Sequence, residues 1–201
     1  MDRHALLESL DRYEGRHPDE RATIDRIRTL LHDRERAYHR DCFDPGHITS
    51  SAWIVSRESG AFLLNHHRKL SRWLQLGGHT DGETDVLASA LREAEEESGL
   101  RGFEALPGEA RPPEILDVDV HEIPAFGSEP AHEHHDIRFL LQVSEDQPIV
   151  RHERESHAVR WFPVAEHAPR FTRAPLGEES LARMARKAHA WLGRDPVGPD
   201  R

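Results

Sequence analysis

A run of carboxylates closes one short segment of the chain, Leu91-Arg92-Glu93-Ala94-Glu95-Glu96-Glu97-Ser98-Gly99-Leu100. On a helix advancing about 100° per residue, Glu93 and Glu97 lie one above the other and Glu96 sits on the neighbouring flank. Three carboxylates therefore project toward one region. The pattern is costly, because like charges at i and i+4 repel by ~0.2–0.5 kcal/mol and anions near a helix C-terminus oppose the macrodipole by ~0.3–1 kcal/mol each. A hard divalent cation would offset that cost, and Mg2+ takes one or two carboxylates together with water and substrate phosphates. An acidic face in plain water is the ordinary reading of such a run. What favours a site here is the stretch in front of it, Gly77-Gly78-His79-Thr80-Asp81-Gly82-Glu83-Thr84, which reads as a loop whose backbone N–H groups can approach a ligand closely.

Together these residues resemble the signature of the Nudix hydrolase superfamily, G-x5-E-x7-R-E-U-x-E-E-x-G-U with U a bulky apolar residue. Gly78, Arg92, Glu93, Glu96, Glu97, Gly99 and Leu100 fall in register, with Ala94 at an apolar position. The glutamate expected after G-x5 falls on Thr84, and Glu83 precedes it by one, so the loop reads as shifted by one residue. The resemblance implies an α/β/α sandwich around a mixed sheet. It also implies Mg2+- or Mn2+-dependent hydrolysis of a phosphoanhydride (pyrophosphate) bond in a nucleoside diphosphate-linked or related nucleotide. By the same resemblance, Glu93, Glu96 and Glu97 are the metal ligands and Arg92 orients the neighbouring carboxylate. The general base comes from this helix or from a later loop, where Glu155 is preferred to Glu153.

Two further groupings carry chemistry. His66-His67-Arg68-Lys69-Leu70-Ser71-Arg72 places cations ahead of the glycine stretch, where Arg68 and Lys69, with Gly77, Gly78 and His79, are candidate substrate contacts. A solvated turn is the plain alternative. His132-Glu133-His134-His135-Asp136 opens a strand, and alternation puts His132 and His134 on one face, where they could meet a transition metal or a substrate. Histidines hydrogen-bonded to their neighbours are the plainer reading.

These residues need elements to hold them. The carboxylate helix runs from about Asp85 to Ser98, with Thr84 as N-cap, Gly99 as C-cap, and Leu87, Leu91 and Ala94 as its anchoring side. Before it, Leu6, Leu7 and Leu10 and then Ile24, Ile27, Leu30 and Leu31 mark two helices whose apolar faces pack on the main domain or on a second copy of the chain. Asp44-Pro45-Gly46 is a turn and a boundary. Ile48 to Val55 and Ala61 to Leu64 read as a hairpin around Gly60, and Trp73 to Leu76 as a third extended piece. Glu104 to Pro113 reads as a loop, strands resume at Glu114 to Ile123, Asp136 to Val143 and Ala158 to Phe162, and a helix closes the order from about Gly177 to Trp191. The predicted organisation is an N-terminal helical extension (1–44), an α/β domain (45–194) and a flexible tail (195–201).

Composition bounds the rest. A chain of 201 residues with 36% hydrophobic and 32% charged residues supports one principal core. A net charge of −10 argues against nucleic-acid binding, which needs clustered basic residues. No apolar run approaches the roughly 20 residues of a membrane span, and Met1-Asp2-Arg3-His4 does not open a signal peptide, so cytoplasmic residence is expected. Cys42 is the single cysteine and reads as a small buried residue. Two rival functions stand beside hydrolysis. An isoprenoid-diphosphate isomerase-like enzyme would need Cys42 as a proton carrier, and a non-catalytic nucleotide-sensing domain would be expected to have lost the carboxylates.

Overall fold

The computed structural model describes residues 1–107, 114–151, 156–163 and 179–193. Its N-terminal part is helical, with α1 (Arg3–Arg16) and α2 (Arg21–Asp33) separated by a 3-10 turn at Pro18–Glu20. The Asp2 side chain caps α1 by accepting from the N–H of Ala5 at 2.9 Å. Leu6, Leu10 and Tyr13 of α1 and Ile24, Ile27, Leu30 and Leu31 of α2 are buried in the same core as Ile48, Val118 and Leu141. The two apolar faces are thus spent inside this chain, each buried Leu or Ile contributing about 1.5–3 kcal/mol relative to exposure.

Eight strands follow among the described residues, and they form one mixed sheet: β1 (Gly46–Ser56), β2 (Phe62–His67), β3 (Arg72–Leu74), β4 (Leu76–His79), β5 (Glu104–Ala105), β6 (Asp117–Ile123), β7 (His132–Val143) and β8 (Ser156–Phe162). The central strand is β1. Along one edge it pairs in parallel with the whole of β7, from Gly46↔Glu133 to Ser56↔Val143. Its other edge is divided: Thr49 to Ala52 pair with β4, and Ile54 and Val55 pair with β2, both antiparallel. Beyond these, β2 carries β3 and β8, while β7 carries β5 and β6.

Alternation along β1 and β7 builds two apolar layers. Ile48, Ala52 and Ile54, with Ile137, Phe139, Leu141 and Val143, face α1, α2 and the helix α3 (Val86–Ser98). Trp53, Val55 and Leu140 face the closing helix α4 (Glu179–Leu192), which contributes Leu181, Met184, Ala185 and Ala188. The result is the α/β/α sandwich that the order of elements implied.

Several local readings are corrected. Gly77 and Gly78 are not in a loop but in β4, opposite Ser51 and Ser50. The α3 N-cap is Asp85, whose carboxylate accepts from the N–H of Ala88 at 3.0 Å, and not Thr84. The anchoring face of α3 is Val86, Ala90 and Ala94, all fully buried, with Leu87 and Leu91 only partly so. Small residues there let the helix lie close to β1 and β4. Strand β7 starts at His132, four residues earlier than Asp136, and Glu104–Ala105 is a short strand. The tail at 195–201 lies outside the described residues.

The α4 side of the sheet also holds a buried ionic network. Arg138, 2% exposed, binds Asp117 at 2.9 Å and Asp136 at 2.8 Å. Arg183 of α4 grips Asp117 at 2.8 Å and Asp119 at 3.1 Å. Lys187 reaches Asp117, Glu20 and the hydroxyl of Tyr13, each at 2.5 Å. This network ties α4, the sheet and the N-terminal helices together. Its charges stand at alternate positions of two strands in the sequence, acidic in Asp117-Val118-Asp119 and of opposite sign in Asp136-Ile137-Arg138.

Candidate active site

Helix α3 reaches the site because both of its ends are fixed. Asp85 caps the first turn and ion-pairs with the N-terminal ammonium of Met1. At the other end Gly99 adopts φ 74°, and its N–H closes on the carbonyl of Glu95 at 2.8 Å, which is the left-handed cap that glycine accepts without strain. Between them, α3 packs on β1 and β4.

The carboxylates divide by environment. Glu97 is 6% exposed, and its two oxygens accept from the Asn65 side-chain amide on β2 at 2.9 Å and from the N–H of Gly77 on β4 at 3.1 Å. Glu93, 15% exposed at its side chain, accepts from Arg92 at 2.7 Å. It also lies so close to β4 that a Cβ on Gly78 would stand 2.7 Å from its Oε2. Glu96 is on the outer flank, 60% exposed, with Arg92 at 3.5 Å. The guanidinium of Arg92 donates a further bond to the carbonyl of His79 at 2.9 Å and lies 3.9 Å from Glu83. Glu83, in turn, accepts from Ser89 at 2.8 Å. The one-residue shift in the loop therefore still delivers Glu83 to the helix. The electrostatic cost of the acidic run is met by these donors, and Glu95 on the far flank pairs with Arg101.

The other predicted residues are dispersed or regrouped. The N–H of Gly77 is used by Glu97, and the missing Cβ makes room for Ser51 of β1 at Gly77 and for Glu93 at Gly78. Arg68 and Lys69 stand in the exposed turn between β2 and β3, with the Lys69 ammonium 5.3 Å from the Phe126 ring. His79 joins a group of histidines instead of facing open solvent, its ring 5.2 Å from those of both His47 and His134. His132 and His134 do share a face, with ring centroids 5.3 Å apart. Glu153 and Glu155 lie outside the described residues. Cys42 is a free thiol whose pKa burial pushes up, which works against a thiolate nucleophile or proton carrier. Asn65 and His47 were missed by sequence reading. Neither stands in a motif, and each acquires its partner only when β1 and β2 enter the sheet.

Comparison with known proteins identifies the family and the fold. The family model for the NUDIX domain matches residues 46–184. The chain belongs to the Nudix family. Among solved structures, a NUDIX-family hydrolase from Clostridium perfringens is 23% identical with a TM-score of 0.56, over 73% of this chain and 97% of that one. A C. elegans Ap4A hydrolase, solved as a binary complex, is 16% identical with a TM-score of 0.54, over 73% and 97%. A MutT protein from Methanosarcina mazei Go1 is 18% identical with a TM-score of 0.52, over 71% and 93%. At these identities the likeness is one of fold. No curated protein matches the chain. Family and fold together support a hydrolase that acts on pyrophosphate bonds. No helix among the described residues is long and apolar enough to cross a membrane.

Proposed function

We propose that the chain hydrolyses a phosphoanhydride in a nucleoside diphosphate-linked or related nucleotide, with Mg2+ or Mn2+ held by Glu93, Glu96 and Glu97. The observation that carries this reading is the placement of Glu93 and Glu97 against the glycines of β4, with Arg92 binding both Glu93 and the carbonyl of His79. The donor set fits the ion: three carboxylates, two of them positioned by fixed donors, suit a hard cation that keeps water and phosphate oxygens in its remaining positions. When bound, such an ion neutralises phosphate oxygens and lowers the pKa of the attacking water.

The chain's own residues supply orientation. Asn65 and the Gly77 N–H fix both oxygens of Glu97, so its carboxylate does not rotate away as charge changes nearby. Arg92 fixes Glu93 through a planar fork that lysine cannot reproduce. Glu96, exposed on the outer flank, completes the set, and Glu155 is the preferred base for the water. His79, Arg68 and Lys69 are the proposed contacts for the rest of the substrate. An Ap4A hydrolase among the structures of like fold supports a nucleotide with a pyrophosphate link. The N-terminal helices, residues 1–44, belong to the same core and brace the network behind the sheet.

A panel of dinucleoside polyphosphates, ADP-ribose, nucleoside diphosphate sugars, CDP-alcohols and oxidised nucleoside triphosphates, each with Mg2+ or Mn2+, tests the reading. Turnover of at least one, abolished by chelation, is expected. Absence of turnover across the panel by folded protein with either ion contradicts it.

A further inference from the structure

A second group of ligand-type side chains lies away from the carboxylates of α3. His47 on β1 and His134 on β7 are direct partners across the parallel pair, and His132 is two residues along β7 on the same face. His121 on β6 is the antiparallel partner of His134, and His79 on β4 pairs with Thr49, on the same face of β1 as His47. Five imidazoles from four adjacent strands thus cover one end of one sheet face. His47 is 1% exposed and His132 6%.

The ring nitrogens converge. One nitrogen from each of His47, His132 and His134 lies within 4.8 Å of the other two. Three atoms so spaced share a point no more than about 2.8 Å from each, against the ~2.0–2.1 Å of a zinc–nitrogen bond. Movements of under about 1 Å would close the site.

The tautomers are set for ligation by backbone carbonyls, which can only accept. His47 Nδ1 donates to the carbonyl of Cys42 at 3.1 Å, and His132 Nδ1 donates to that of Pro130 at 2.8 Å. Each ring is then left with its lone pair on Nε2, the arrangement found where outer-shell partners orient metal-bound histidines. The Nε2 of His47 is buried with no hydrogen-bond partner among the described residues, a costly state for a polar atom unless something meets it.

We infer that His47, His132 and His134 form a binding site for a divalent transition metal of the zinc class, distinct from the carboxylate site of α3. Imidazole donors select zinc, cobalt or nickel, whereas magnesium prefers oxygen. Three protein ligands leave a fourth position for water or a substrate group. His79, its ring 5.2 Å from two of the three, borders that position. Through its carbonyl, bound by Arg92, the same residue joins the two sites. The inference does not depend on hydrolysis, since it concerns binding alone.

The test is titration of the metal-stripped full chain with Zn2+ by equilibrium dialysis in excess Mg2+, which occupies the carboxylates, and with Co2+ followed by visible absorption. One Zn2+ per chain and Co2+ bands of a low-coordinate nitrogen site are expected. His134→Asn and His132→Asn, checked for native circular dichroism, should each weaken Zn2+ binding at least about tenfold. Folded wild-type protein that takes up no Zn2+, or uptake that excess Mg2+ displaces, overturns the inference whether or not the variants fold. Unchanged uptake in both folded variants also overturns it.

Discussion

At Arg92 one guanidinium serves the Glu93 carboxylate at 2.7 Å and the carbonyl of His79 at 2.9 Å, so a helix and a strand are joined through a single side chain. Lysine keeps the charge but has no planar fork, and it cannot hold both partners in the same geometry. Arg92→Lys should therefore lower kcat by about tenfold to a hundredfold with little change in KM, as expected for loss of one charged hydrogen bond of ~1.5–3 kcal/mol that matters at the metal and not in substrate capture. Steady-state kinetics on a substrate identified by the panel decides it, and a rise in KM with unchanged kcat would place Arg92 at the substrate instead. The placement of Glu93 and Glu97 on one side of α3 was legible because a helical period fixes which side chains share a face. The partners of Glu97 were not, because Asn65 and the Gly77 N–H come from strands 32 and 20 residues away, a separation that no local pattern encodes.

Among the elements, β4 is the one whose reading changed most. Its glycines read in sequence as a loop that approaches a ligand, yet they pair with β1, and Gly78 leaves room for Glu93 of α3. A Cβ on Gly77 would stand 2.3 Å from Cβ of Ser51 and 2.5 Å from its Cα. Gly77→Ala must push β4 from the central strand, and overpacking of this kind costs about 1–3 kcal/mol. Urea unfolding monitored by circular dichroism should show that loss, and an unchanged midpoint would mean that β4 moves freely. Strand and helix identities were otherwise readable from alternation and from the 3.6-residue period. Their ends were less so: Thr84 and Asp85 are both good caps, and only the docking of the helix on β1 and β4 selects Asp85. At the start of β7 the histidines and charges carry no apolar alternation, so the apolar pattern begins only at Asp136, although the alternation of His132 and His134 already places them on one strand face.

For the whole molecule, the ionic network around Asp117 joins the N-terminal helices to α4 across the sheet. Burial alone would raise the pKa of Asp117, but the bonds from Arg183, Arg138 and Lys187 reverse that and hold it below the ordinary 3.8. Asp119 is lowered in the same way, with burial outweighed by His121, Arg138 and Arg183. Because the folded values lie below the unfolded one, this contribution is complete above about pH 4 and is lost as pH falls below it. Thermal unfolding between about pH 5 and pH 2.5 should show a steep fall in Tm in the wild type. Arg138→Met, which strands buried carboxylates, should lose about 3–5 kcal/mol near neutrality and show a shallower fall. An acid profile unaltered by the substitution would remove the network from the stability of the fold. Whether the carboxylates of α3 form the active site is decided by metal-dependent turnover of Glu97→Gln beside the wild type on one substrate. A loss of about 10²–10³-fold in kcat with the fold intact is the predicted result. Turnover within about twofold of the wild type, at equal Mg2+, would contradict the assignment of the active site to the carboxylates of this helix.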